Sequence, residues 1–333
     1  MSSTTASEPT PTALPINQRT FTLNNGVKMP AVGFGTFSNG GVEGETYRAV
    51  TCALEVGYRH LDCAWFYENE EEVGAAVRDF LARAGGAVRR EDLFICTKVW
   101  NHLHEPDEVR WSLECSLRHL GLAYVDLFLV HWPVAVESDA RRQPRRGPDG
   151  RYVLKPGLTA DPEPTWRAME ALYAEGRARA IGVSNWTVGG LAALLARARV
   201  PPAVNQVEIH PFLPNGELVA FCRARGVVRT DPALNAVARR AGRDLAQVLL
   251  AWGVRRGYAV LPKSATPARI ASNFDVPALS DADFDAVEAV ARGRHVRFVN
   301  MKDTFGYDVW PEEAAAEAPR DAQDGNSSAV AVA

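Results

Sequence analysis

Along this chain short apolar runs bounded by turn residues alternate with longer segments whose apolar positions recur three and four residues apart. The short runs at 31–36, 60–64, 94–99, 125–131, 180–185, 204–209, 226–230 and 259–264 read as strands, after an opening hairpin over 21–29. The amphipathic segments at 45–56, 70–84, 106–120, 165–175, 188–197, 217–225, 231–256 and 280–292 read as the helices between and after them. Capping signals agree with that division. Asp231-Pro232 pairs an N-cap with a proline suited to a first helical position, Ser280-Asp281 opens the last helix, and Gly57, Gly121, Gly176, Gly226 and Gly257 fall at helix ends. Eight strands, each followed by a helix, predict an α/β fold, a (β/α)8 barrel. An open doubly wound sheet is the competing architecture. Gly33-Phe34-Gly35 lacks the third glycine of its dinucleotide fingerprint, and the chain has neither a Walker loop nor a nucleophile elbow.

Composition narrows the function. The Ser/Thr/Pro-rich stretch 1–18 and the Ala-rich stretch 312–333 cannot bury a core, so both are expected to be disordered tails around a single barrel domain over 19–311. A net charge of −3 supplies no basic field for nucleic acid or an anionic membrane. No apolar stretch approaches the roughly 18 to 20 residues of a membrane span, and residues 1–17 lack the basic start and apolar run of a signal peptide. A cytosolic protein acting on small molecules is expected. Cys52, Cys63, Cys96, Cys115 and Cys222 are scattered without C-x-x-C spacing, which argues for reduced thiols and against a metal site.

In a barrel, chemistry collects where strands end and βα loops begin. Four polar residues interrupt apolar sequence there: Asp62, Tyr67, Lys98 and His131. An ammonium inside the apolar run FICTKV needs a partner, and Asp62 is the natural one. Such a pair beside Tyr67 is expected to draw the phenol below its ordinary pKa of about 10 and make it a proton donor, with His131 steadying a carbonyl oxygen. The set supplies a proton and contains no nucleophile or metal, so it suits carbonyl reduction if a cofactor brings the hydride. Phe37, Trp65, Phe66, Trp100 and Trp132 follow strand ends. With Phe305, Tyr307 and Trp310 they predict an apolar substrate pocket. The long connection 133–164 is expected to form part of its rim, and its basic run RRQPRRGPDGR (141–151) reads as solvated, with attraction of anionic substrates as the alternative.

Six motifs now stand in one order: GYRHLDCAWFYENEEEVG (57–74), TKVW (97–100), HWP (131–133), GVSNW (182–186), NQVEIHP (205–211) and LPKSATPARIASNF (261–274). In these the chain resembles the aldo-keto reductases, from about Phe21 to Phe274. The resemblance implies a (β/α)8 barrel that binds NADP(H), works as a monomer and reduces aldehydes or ketones to alcohols. It implies that Tyr67 donates the proton, that Lys98 and Asp62 tune it, and that His131 orients the substrate carbonyl. Ser184, Asn185 and Gln206 match residues that hold the nicotinamide carboxamide, with Thr36 and Asp62 beside the cofactor. Lys263, Ser264, Thr266, Arg269 and Asn273 match the segment that grips the adenosine 2′-phosphate, while Ser272 stands where many relatives have Glu. The 133–164 connection and the C-terminal segment resemble fungal aldehyde, glycerol or sugar reductases, which implies small polar aldehydes as substrates.

One stretch departs from the pattern. Thr230 runs directly into Asp231-Pro232, where the family continues into a Tyr-Ser-Pro-Leu-Gly-like segment. That segment is the one implied to stack a ring on the nicotinamide and to meet the pyrophosphate. A truncated seventh strand and βα loop are therefore expected, against usual loop lengths of roughly two to six residues. Two readings follow: an NADP(H)-dependent carbonyl reductase, or a catalytically impaired barrel retained for cofactor sensing or interaction.

Overall fold

The computed structural model describes residues 14–38, 42–226, 230–231, 244–290, 292–293 and 295–316. Strands β1 (Phe34–Gly35), β2 (His60–Asp62), β3 (Phe94–Val99), β4 (Leu127–Val130), β5 (Ile181–Ser184) and β6 (Asn205–Gln206) form a parallel sheet in chain order. Residues of β2 to β5 are buried throughout, as expected of a parallel sheet covered on both faces. Strands β7 (Thr230–Asp231) and β8 (Ala259–Val260) pair with each other in parallel. β8 then returns to the first strand: Val32 bridges Val260, Gly33 N donates to Val260 O at 2.8 Å, and Gly35 N donates to Pro262 O at 3.0 Å. The ring is a (β/α)8 barrel with a seam between β6 and β7, which lie side by side without ladder pairing among the described residues.

Around it lie helices α1 (Glu45–Val56), α2 (Glu70–Ala84), α3 (Pro106–Leu120), α4 (Glu163–Ala174), α5 (Val188–Arg197), α6 (Gly216–Arg223), α7 (Leu245–Arg255), α8 (Pro267–Phe274) and α9 (Asp281–Val290). Among the described residues no helix is long and apolar enough to cross a membrane. Two glycines permit approaches that position the site. A Cβ on Gly182 in β5 would lie 2.6 Å from Val204 O on the neighbouring strand. Gly57, at φ 125°, lets the Phe274 ring come within 2.8 Å of where a Cβ would sit, and Tyr58 donates its hydroxyl to Ile270 O at 3.2 Å. Together these contacts seat α8 against the end of α1.

The structure shifts several expected boundaries. Asp231 pairs with Val260 as part of β7, so strand seven reaches one residue past the expected 226–230, while Gly226 ends the turn after α6 and residues 227–229 lie outside the described ones. Within the expected 231–256 helix, α7 opens at Asp244, whose carboxylate accepts from Gln247 N at 2.9 Å while the Gln247 side chain accepts from Asp244 N at 3.2 Å. This reciprocal capping box satisfies two helix-end donors at once. Residues 232–243 of the expected helix lie outside the described residues. Part of each expected tail is ordered: Ile16 is buried in a 3-10 turn at Ile16–Gln18, and a helix at Pro311–Ala316 continues past 312. The remaining tail residues, 1–13 and 317–333, lie outside the described ones. The arginines of the 141–151 run are exposed, as the solvated reading expects, and make contacts along the surface. Arg142 lies over Trp111 at 4.6 Å, Arg146 over Tyr152 at 4.4 Å, and Arg145 pairs with Glu137.

Candidate active site

Because neighbouring strands are parallel, their C-terminal ends open on one mouth. Asp62 ends β2, Tyr67 closes a 3-10 turn at Trp65–Tyr67, Lys98 is next to last in β3, and His131 follows β4. Lys98 Nζ donates to Asp62 Oδ1 at 2.8 Å, to Cys63 O at 2.9 Å and to Tyr67 Oη at 3.3 Å. All three ammonium protons thereby have acceptors in a side chain only 1% exposed. The Tyr67 and His131 rings meet edge to face at 5.9 Å, and Trp100 meets His131 at 4.9 Å. The four predicted catalytic residues therefore come together.

Their protonation follows from burial and neighbours. Burial opposes the Lys98 charge, but Asp62 above all, then Tyr67 and Cys96, outweigh it, so its pKa is raised and the ammonium persists. Tyr67 behaves opposite to expectation. Burial pushes its phenol up to about 12, Lys98 pulls it down without offsetting that, and Asp62 adds to the rise. The proton is held on Tyr67 at neutral pH, which is the state a proton donor requires. Burial, then Lys98 and His104, push His131 well below the ordinary imidazole range, so it is neutral and keeps one ring N–H to donate.

The residues predicted to meet the nicotinamide gather at the same mouth. Asn185 takes a left-handed φ of 63°, uncommon for a residue other than glycine, and its Nδ2 donates to His131 O at 3.0 Å and to Ser184 Oγ at 3.2 Å. Ser184 Oγ donates to Gln206 O at 2.7 Å, and Gln206 Nε2 donates to Asp62 Oδ1 at 3.2 Å. Thr36 Oγ1 donates to Asp62 O at 3.0 Å. Beyond Thr36 a hollow runs to Lys263 and Ser264, ahead of α8. There Ser264 Oγ accepts from Thr266 N at 3.1 Å, Lys263, Thr266 and Arg269 are exposed, and Asn273 is buried. The first turn of α8 carries no acidic residue and Thr266 makes no side-chain cap, so helix N–H groups and two cations remain available to an anion. This donor set fits a phosphate.

On the substrate side, Phe37 packs on Tyr67 at 5.1 Å, and Phe66 stacks on Trp100 at 3.8 Å. Trp132 and Trp310 join the same aromatic cluster as Trp100, with Trp65 and Phe66 against its edge. Tyr307 does not join it: it is 40% exposed and lines a separate hollow with Trp166 and Trp186. Sequence reasoning missed the Cys63 carbonyl that accepts from Lys98, and Asn69, whose Nδ2 holds Thr36 O at 2.8 Å. It also missed Glu70, which accepts from Thr97 Oγ1 at 2.6 Å. Asn69 and Glu70 directly follow the Tyr67 turn, and that adjacency was the available signal.

The profile of the Aldo/keto reductase family matches residues 31–230. The chain belongs to that family. It is 62% identical over 315 residues to a glycerol 2-dehydrogenase (NADP(+)) of Hypocrea jecorina, covering 89% of this chain and 99% of the relative. It is 40% identical over 286 residues to a D/L-glyceraldehyde reductase of the same fungus, covering 79% and 85%. Among solved structures, an aldose reductase from Schistosoma japonicum is similar at TM-score 0.80 and 34% identity, covering 88% of this chain and 98% of that one. As an aldo/keto reductase the chain is an oxidoreductase that interconverts carbonyls and alcohols. The family match ends at Thr230, where the sequence departs from the pattern. The 315 aligned positions also exceed the 89% of this 333-residue chain that they span, so the Hypocrea glycerol 2-dehydrogenase has residues without a counterpart here.

Proposed function

We propose that this chain reduces small hydroxylated aldehydes and ketones, of the glyceraldehyde and dihydroxyacetone kind, to polyols with NADPH, and catalyses the reverse oxidation. The observation that carries this reading is the Asp62–Lys98–Tyr67 chain, whose phenol keeps its proton through burial and lies 5.9 Å, ring to ring, from a neutral imidazole. When bound, the cofactor supplies the hydride. Tyr67 gives its proton to the carbonyl oxygen, and the Lys98 ammonium stabilises the phenolate that remains. Asp62 keeps Lys98 charged, and His131 donates a hydrogen bond that orients the carbonyl. Thr36, Ser184, Asn185 and Gln206 hold the carboxamide end of the cofactor, and Lys263, Ser264, Thr266, Arg269 and Asn273 hold its 2′-phosphate. Phe37, Trp65, Phe66, Trp100, Trp132 and Trp310 enclose the substrate. The names of the two Hypocrea relatives support the substrate class and NADP. The partners are the cofactor and a small carbonyl or alcohol, with neither nucleic acid nor membrane, and the working form is a cytosolic monomer. A barrel kept for sensing alone has no use for a proton relay, so that alternative is not favoured.

The direct test follows NADPH absorbance with glyceraldehyde, beside a fluorescence titration of NADPH binding. Turnover supports the proposal, and tight binding with no turnover on glyceraldehyde or dihydroxyacetone refutes it. A second experiment addresses the phosphate grip. Replacing Lys263 and Arg269 together by Met is expected to weaken NADPH by about tenfold to a hundredfold, from charge-assisted hydrogen bonds of about 1.5–3 kcal/mol each, screened at these exposed positions. NADH, which lacks the phosphate, should change by no more than about twofold on the same reasoning. Equal losses for both cofactors overturn this assignment.

A further inference from the structure

The C-terminal stretch 295–313 is tied to the barrel by one clasp and braced within itself by a second, both remote from the reacting groups. The first is Glu208, two residues past β6 and 9% exposed. One of its carboxylate oxygens accepts from Phe298 N and from His210 Nε2, both at 2.8 Å, and the other accepts from Val299 N at 2.8 Å. Burial alone would raise its pKa. The bonds from His210, Phe298 and Val299 outweigh burial and keep the carboxyl below its ordinary range, so the clasp is charged at neutral pH. The second clasp is internal to the stretch. Arg297, 6% exposed, forks onto Glu313 through Nε at 2.7 Å and Nη2 at 2.5 Å, and its guanidinium lies 3.5 Å from the centre of the Trp310 ring.

From Trp310 the contacts lead to the mouth. Trp310 meets Trp132 at 5.8 Å, Trp132 meets Phe305 at 5.5 Å, and Phe305, 1% exposed, lies 6.4 Å from Trp100. Trp100 in turn stacks on Phe66 and faces His131. A displacement at either clasp therefore changes the shape of the wall around the carbonyl without touching the proton relay. We propose that Glu208 and the Arg297–Glu313 pair are positioning residues that set the substrate range, clasping the C-terminal stretch so that Phe305 and Trp310 close the pocket to bulky carbonyls. This rests on the carbonyl-reductase reading above. The planar fork matters because it fixes both the direction of Arg297 and its stacking on Trp310, which a single charge contact would not do.

The test compares Glu208→Gln and Glu313→Gln with the parent protein, measuring kcat and KM with NADPH for glyceraldehyde and for a bulky aromatic aldehyde. A second readout, hydrogen exchange across 298–310, does not depend on turnover. The kcat for glyceraldehyde is expected to stay within about twofold, while preference shifts toward the aromatic aldehyde by about tenfold, the scale on which apolar pocket shape discriminates. Exchange across 298–310 should rise in both variants. Glu313→Asp, which retains the charge, should recover part of the parent preference. Glu313 lies at the periphery, so its variant remains informative if Glu208→Gln fails to fold. An unchanged preference in folded Glu313→Gln overturns the proposal, as does an equal loss of kcat on both aldehydes. A parent protein silent toward both aldehydes refutes the reductase reading instead. In that case the clasp stands or falls on exchange alone, with unaltered exchange in both variants overturning it.

Discussion

Tyr67→Phe is expected to fold, to bind NADPH about as tightly as the parent, and to reduce glyceraldehyde about a thousandfold more slowly, within the 10²–10⁴ range of a general acid. Only the hydroxyl is removed. The ring keeps its edge contact with His131 and its packing on Phe37, so the pocket walls persist. Lys98 loses one of three acceptors and keeps Asp62 and Cys63 O, so the ammonium remains satisfied. The loss therefore falls on kcat and leaves binding nearly unchanged. A spectroscopic titration checks the protonation argument separately: the parent-minus-variant difference in phenolate absorbance should stay flat through the neutral range and rise only on approach to about 12. A difference signal with a midpoint below the ordinary tyrosine value of about 10 would mean that Lys98 outweighs burial. Retention of more than a tenth of the parent kcat would exclude Tyr67 as the proton donor.

The residues of that relay were legible before any coordinates. Lys98 was conspicuous as a charge within an apolar strand, and barrel geometry alone brings the ends of β2, β3 and β4 to one mouth. The direction of the Tyr67 shift was not legible, because sequence identifies the ammonium beside the phenol but not how completely both are buried. Local pattern also did not show that Asp231 lies in a strand. A residue before proline is extended whether it caps a helix or ends a strand, so the sequence alone does not reveal the pairing of Asp231 with Val260. Glu208 was invisible for a different reason. Besides His210 two residues on, its donors are the backbone N–H groups of Phe298 and Val299, about ninety positions along the chain, and these long-range backbone donors, which make it a clasp, leave no mark in side-chain pattern. The seam beside β6 lies between these cases. Sequence placed a truncated strand and loop at Thr230, where the family match ends, and gave no sign that among the described residues β7 would lack ladder pairing with β6.

Asp62→Asn tests the relay through stability as well as rate. Lys98 is 1% exposed and Asp62 8% exposed in the parent, so removing the carboxylate leaves an ammonium buried without its counter-charge. Breaking such a pair costs about 3–5 kcal/mol, and the expected result is a loss of that size at pH 7 in denaturant unfolding, with reductase activity falling as well. The pH dependence gives the sign. In the parent, the Lys98 pKa is raised above its unfolded value of about 10.4, so its stabilisation is complete below that pH and is lost as pH rises through the folded value. In the variant, burial, the largest influence on Lys98, acts without Asp62 to oppose it and lowers the pKa below the unfolded value. Between the two values the unfolded chain then binds more protons than the folded one, so the variant gains stability as pH rises toward about 10.4. The gap between parent and variant should therefore narrow from pH 7 upward. A gap that stays constant or widens over that interval would show that Lys98 keeps its charge without Asp62, and the carboxylate would then have no part in holding the ammonium beside Tyr67.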